Sequence, residues 1–111
     1  MIEMQSATFH IGSVTFDSIQ DVLYRLFCLR LVNPTHIFLC QAEYDALTQW
    51  ICTRTYYHLV GSHIVEQKVT DLLQVSHLVN LTTARAMKLG VSPKLTHGAF
   101  SLLWKESEAV Q

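Results

Sequence analysis

The chain has few of the residues that punctuate loops, with four glycines and two prolines in 111 residues. Gly12, Gly61, Gly90 and Gly98 are too scattered to cradle a phosphate, and no P-loop, dinucleotide fingerprint or nucleophile elbow is present. Charged residues are scarce as well, at 15% of the chain. No pair of carboxylates has a spacing that suggests shared acid–base work. Three cysteines, Cys28, Cys40 and Cys52, form an odd set without a tight pair. That argues against a disulfide framework and makes buried free thiols the expectation. No apolar run approaches the ~20 residues that cross a bilayer. Residues 1–5 lack the basic and apolar regions of a signal peptide, so no membrane association and a cytoplasmic location are expected.

What is abundant is apolar surface. Half of the residues are hydrophobic, a large share for a chain this short, whose core is small relative to its surface. Large exposed apolar patches are uncommon on monomers, so a homo-oligomer or another protein partner is expected to cover part of the surface. Trp50, Tyr56, Tyr57 and Trp104 are side chains of the kind that anchor interfaces, and each is equally compatible with the core. The net charge of −1 is unevenly spread. Residues 1–50 carry five acids and two bases, whereas residues 72–105 carry Arg85, Lys88, Lys94 and Lys105 and no acid. Such asymmetry suits either stacking on a second copy or contact with an anionic partner.

The pattern along the chain reads as one α+β domain over residues 1–111. Residues 7–11 and 14–16 flank Gly12-Ser13 and predict an N-terminal β-hairpin. Asp17 with Gln20 has the form of a helix cap. Ile19, Val22, Leu23, Leu26 and Phe27 then form an apolar stripe that ends before Asn33-Pro34. Residues 35–40 read as a buried strand and 41–56 as a second helix, with Glu43 and Asp45 near its start and Arg54 near its end. Residues 59–65 suggest a strand, and the alternation over 72–79 suggests another. The expected architecture is a mixed or antiparallel sheet with two main helices packed on it, burying Ile19, Leu23, Phe27, Ile37, Leu39, Leu47 and Ile51.

The acid-free window allows a second reading. Residues 82–89 form a short helical pattern ending at Gly90, and Ser92-Pro93 is a good helix start. Together they outline a helix-turn-helix over 82–103, in which Arg85, Lys88, Lys94, Thr96 and His97 would meet nucleic acid. Against it stand Arg85 at an inward position, Gly98 within the second helix, and the negative net charge of the chain. Residues 99–104 equally suit a closing strand. Six histidines offer metal ligands, yet the closest pairing, His58 with His63, has no cysteine nearby. No metal site or cofactor is expected on that spacing. A Cys–His nucleophile pair depends on proximity in space, which sequence leaves open.

The stretch from Phe9 to Ile19, the run Asn33-Pro34-Thr35-His36-Ile37-Phe38-Leu39 and the segment Tyr44-Asp45-Ala46-Leu47 resemble small tailed-bacteriophage proteins of the capsid-type or accessory kind. The resemblance spans roughly residues 7–50 and carries no functional residue with it. It implies a phage-encoded protein, either a virion component or a host-factor-binding or anti-defence protein, located in the virion or the host cytoplasm. The expected function is therefore non-enzymatic: a structural or accessory protein acting through protein–protein contacts. The alternative is a small DNA-binding regulator using residues 82–103.

Overall fold

Period-two burial governs the sheet in the computed structural model, which describes residues 3–30, 32–52, 55–60, 63–68 and 76–105, with the backbone alone at 52, 55–60 and 63–68. The elements run β1 (Met4–His10), α1 (Phe16–Arg30), β2 (His36–Leu39), α2 (Gln41–Cys52), β3 (Thr55–Val60), β4 (His63–Lys68), β5 (His77–Asn80), β6 (Arg85–Val91) and β7 (Ala99–Lys105). Five strands form a mixed sheet in the order β1-β7-β2-β6-β5, and β3 and β4 pair as a separate antiparallel hairpin. β2 runs parallel to β6; the other pairings within the large sheet are antiparallel. This is the α+β fold that the sequence pattern predicts.

One core cluster joins Ile19 and Leu23 of α1, Leu47 and Ile51 of α2, and Ile37, Leu39, Leu78, Met87, Leu89, Phe100, Leu102 and Trp104 of the sheet. Both helices therefore cover the same sheet face. Phe27, expected in this core, is only half-buried.

The first helix begins two residues earlier than the sequence suggests. Thr15, not Asp17, is the cap. The Ser18 amide donates to Thr15 Oγ1 at 3.1 Å, and the Thr15 amide donates to Ser18 Oγ at 2.8 Å. This reciprocal pair satisfies two amides that the first turn leaves without partners. Gln20 is thereby released for a longer reach. Its Nε2 donates to the Val79 carbonyl at 2.7 Å and its Oε1 accepts from the Leu81 amide at 3.0 Å, tying α1 to the end of β5.

The N-terminal hairpin does not form. β1 pairs with β7, from Met4↔Lys105 to His10↔Ala99, and Phe16 already belongs to α1. Local turn chemistry at Gly12-Ser13 yields to the larger apolar area that β1 covers beside β7. The second helix stops at Cys52 rather than near Tyr56, and Tyr56 lies with Tyr57 on β3. Arg54 and residues 72–75 fall outside the described residues.

The largest correction concerns residues 82–89. They form a turn and then β6, with Met87 and Leu89 buried and Ala86 and Lys88 exposed. Ala, Arg, Met, Lys and Leu are good helix formers, but pairing with β2 and β5 on either side overrides that weak preference. Gly90, read as a helix end, lies inside the strand because the Phe38 ring sits over it: a Cβ there would meet that ring at 3.0 Å. Ser92-Pro93 opens a turn in which the Leu95 amide donates to the Ser92 carbonyl at 3.2 Å. Residues 99–105 are the closing strand β7. The helix-turn-helix over 82–103 is therefore absent.

The turn from β5 to β6 provides a test of this correction. Asn80 Oδ1 accepts from the Thr82 amide, the Ala84 amide donates to the Asn80 carbonyl, and Ala84 sits at φ 60. A left-handed alanine is strained, so Ala84→Gly is expected to raise stability by about 0.5–1 kcal/mol in urea denaturation. A helix at this position would instead lose about 1 kcal/mol.

Candidate functional site

The C-terminal ends of β1, β2 and β6 and the start of β7 lie together, as the pairings Leu39↔Val91, Leu39↔Phe100 and His10↔Ala99 require. Loops gathered at one end of a sheet are a common setting for chemistry. Cys40 leaves β2 here and occupies the cap position of α2, whose first turn closes through the Tyr44 amide on the Cys40 carbonyl at 2.9 Å. Glu43 stands three residues on. The Cys40 thiol donates to Glu43 Oε1 at 3.4 Å, and the Gly98 amide donates to both Glu43 oxygens at 3.2 Å. The carboxylate is almost fully buried, at 9% exposure. Among the described residues no salt bridge compensates it. The Gly98 amide, the thiol and the positive end of α2 do so instead.

Gly98 is the hinge of this end. It has φ +83, and its Cβ position is 3.1 Å from the Cα and carbonyl oxygen of Gly12, itself at φ +82. The Gly98 carbonyl accepts from the amides of Ile11 at 2.7 Å and Gly12 at 3.1 Å. Two backbones thus touch where neither can carry a side chain comfortably. The adjoining turn closes through the Ala99 amide on the Thr96 carbonyl at 3.3 Å, with His97 at its corner. The thiol of Cys40, a carboxylate oxygen of Glu43 and a ring nitrogen of His97 lie within 4.8 Å of one another. These are the described residues able to converge on one cation. The sequence does not reveal them, because His97 lies 54 positions from Glu43. The available clue is Cys40-x-x-Glu43 at a helix start, the spacing of a cap.

A second surface is the sheet face on which, among the described residues, no helix lies. Across it the register aligns Ser6, Leu103, His36, Lys88 and His77 in one row and Thr8, Ser101, Phe38 and Gly90 in the next. Thr8 and Ser101 share a hydroxyl hydrogen bond of 2.7 Å, and the His36 and Phe38 rings stack at 6.1 Å. Lys88 and Lys105 lie on this face, and none of its described residues is acidic. Asp17, Asp21, Glu43 and Asp45 belong to the helices. The first helix also carries Arg25 and Arg30, and Arg25 pairs with Asp21 at 3.0 Å.

The predicted site residues disperse. Trp104 is a core residue and is unavailable as a surface anchor. Trp50 is half-buried and stacks on Phe16 with ring centroids 5.2 Å apart. With Val14, Thr15, Asp17, Ala46 and Leu47 the two rings line a cavity of about 350 Å³. Thr15 is already used in the helix cap, which leaves Asp17 as its main orienting group. Tyr56 and Tyr57 lie on β3, and their side chains are outside the described residues, as are those of His58 and His63. Arg85 begins β6, Lys88 projects from the open face, and Lys94, Thr96 and His97 follow the far end of β6. A seven-residue strand holds Arg85 roughly 20 Å from that loop. The five do not form one nucleic-acid surface of the predicted kind. Cys28 is exposed, against the expectation of a buried thiol, whereas Cys40 is buried. Among the described residues no helix is long and apolar enough to cross a membrane.

No family model, curated protein or solved structure matches the chain.

The contact between Gly98 and Gly12 predicts unequal effects at two positions of similar φ. Gly12→Ala, with nothing within 4 Å of its Cβ position, is expected to cost about 1 kcal/mol through φ alone. Gly98→Ala, which adds a clash with the Gly12 backbone, is expected to cost about 2–4 kcal/mol. Urea denaturation of the two variants measures the difference.

Proposed function

We propose that this chain is a non-enzymatic protein that acts through protein–protein contacts and pairs with a second copy of itself along the free edge of β1. One observation carries the reading. β1 is an edge strand of seven residues, Met4–His10, in uninterrupted register with β7, and it contains no charge, no proline and no bulge. Among the described residues nothing pairs with its outer side. Edge strands are ordinarily blunted by shortness, lysine, proline or a bulge, because unpaired backbone groups recruit other strands. The opposite edge, β5, is blunted in this sense: it is four residues long and ends in a turn that Gln20 clamps.

A two-fold antiparallel pairing centred on Ala7 sets Met4 opposite His10 and Ser6 opposite Thr8. No like charges meet there. Stacking of open face on open face is disfavoured, since Lys88 and Lys105 would confront their own copies without an intervening acid. The uncharged edge is where two copies approach at least electrostatic cost. Exposed Met4, at 43%, adds apolar area beside that edge. With the phage-like cadence of residues 7–50, this supports a small phage-type structural or accessory protein, built into a virion or directed at a host factor.

Light scattering after size exclusion at micromolar concentration is expected to show a dimer. Ser6→Lys combined with Thr8→Lys places lysines opposite one another and is expected to give a folded monomer. Ser6→Lys with Thr8→Glu places opposite charges across the same contact and is expected to restore the dimer. A strictly monomeric unmodified chain would overturn the reading.

A further inference from the structure

We propose that Cys40, Glu43 and His97 bind a borderline-soft divalent cation, zinc in the first place, with a fourth coordination position open to solvent. The donor set favours this class. A thiolate with an imidazole and a carboxylate selects zinc or cobalt over magnesium and calcium, which take oxygen ligands. A divalent cation with one thiolate, one carboxylate and one neutral imidazole has no net charge, as suits a site that runs from Cys40 and Glu43, at 8% and 9% exposure, out to exposed His97.

The geometry is largely prepared. Tetrahedral zinc sets its N, O and S donors roughly 3.4–3.6 Å apart. Cys40 Sγ and Glu43 Oε1 already stand 3.4 Å apart, and all three donors fit within 4.8 Å. The remaining closure falls to the His97 side chain, which is exposed. The supporting bonds are also in place. Glu43 is oriented by the Gly98 amide at 3.2 Å, and Gly98 follows His97 directly. The same contact that fixes the carboxylate therefore fixes the turn carrying the imidazole. Such outer partners hold metal ligands in position and tune their affinity. The cation takes the place of the proton that Cys40 now donates to Glu43, so binding releases that proton to solvent.

Three protein ligands with one open position are the arrangement of zinc sites that hold water or an incoming ligand. Such a site would also join β2, α2 and the β6–β7 loop across the end of the sheet.

The test is titration of the chelator-treated, reduced full chain with cobalt, followed by zinc. The expected result is one bound cobalt per chain. Its spectrum should show a thiolate charge-transfer band and the intense visible bands of four-coordinate cobalt, both abolished by zinc. Cys40→Ser should remove the charge-transfer band, while Cys28→Ser and Cys52→Ser should leave it intact. His97→Ala should weaken binding by more than roughly tenfold, since even outer partners of metal ligands are worth about 10–100-fold. Because His97 is exposed, that variant should keep the metal-free circular dichroism unchanged, which separates loss of a ligand from loss of folding. Failure to bind cobalt, a charge-transfer band that survives Cys40→Ser, or unchanged affinity in folded His97→Ala would each overturn the proposal.

Discussion

A five-stranded sheet that, among the described residues, carries helices on one face only must divide every strand into an inner and an outer set of side chains. Here both helices lie on the inner face, and Ile37, Leu39, Met87, Leu89, Phe100 and Leu102 meet Ile19, Leu23, Leu47 and Ile51 there. A shift of one residue in any central strand would exchange those residues for His36, Phe38, Lys88, Ser101 and Leu103. Register, helix placement and the chemistry of the outer face all follow from this division. The open face carries Lys88 and Lys105 and, among the described residues, no acid, while α1 carries Arg25 and Arg30 together with Asp17 and Asp21.

The end of the sheet near Gly98 depends on a smaller constraint, the approach of two left-handed glycines. With no side chain at either position, the β6–β7 loop lies against the end of β1, and the Gly98 amide points at Glu43. A buried carboxylate without a salt bridge is stable only where several donors converge on it. The helix start supplies the favourable dipole and Cys40 supplies a thiol hydrogen. One left-handed turn therefore positions a backbone junction, a carboxylate and an imidazole together.

The parts of this arrangement that were legible in sequence are those set by strong periodicity. Ile19 and Leu23 of α1, Ile37 and Leu39 of β2, and Leu47 and Ile51 of α2 are buried as their spacing predicts, whereas Phe27 stays half-buried. Local rules failed where partners distant in sequence decide the outcome. Residues 85–91 have helix-forming composition, yet they form a strand because β2 and β5 lie on either side. Gly12-Ser13 has good hairpin chemistry, yet the partner of β1 arrives almost ninety residues later as β7. The cap at Thr15 with Ser18 was readable in principle, but the competing pattern at Asp17 and Gln20 matched a commoner motif. The meeting of Cys40, Glu43 and His97 had no sequence signal beyond the cap spacing, since His97 reaches the group only through the topology. Trp104, an interface candidate by residue type, is in the core because β7 lies beneath the helices.

The open edge of β1 is the feature on which the functional reading rests, and amide exchange reads that edge directly. In an antiparallel pair, alternate amides of β1 point toward β7 and the others point outward. If β1 pairs with a second copy, the inward set is protected at every protein concentration and the outward set gains protection as concentration rises. Hydrogen exchange followed amide by amide along Met4–His10 at low and high concentration separates the two sets. Outward amides that exchange as fast as loop amides at all concentrations would contradict the account.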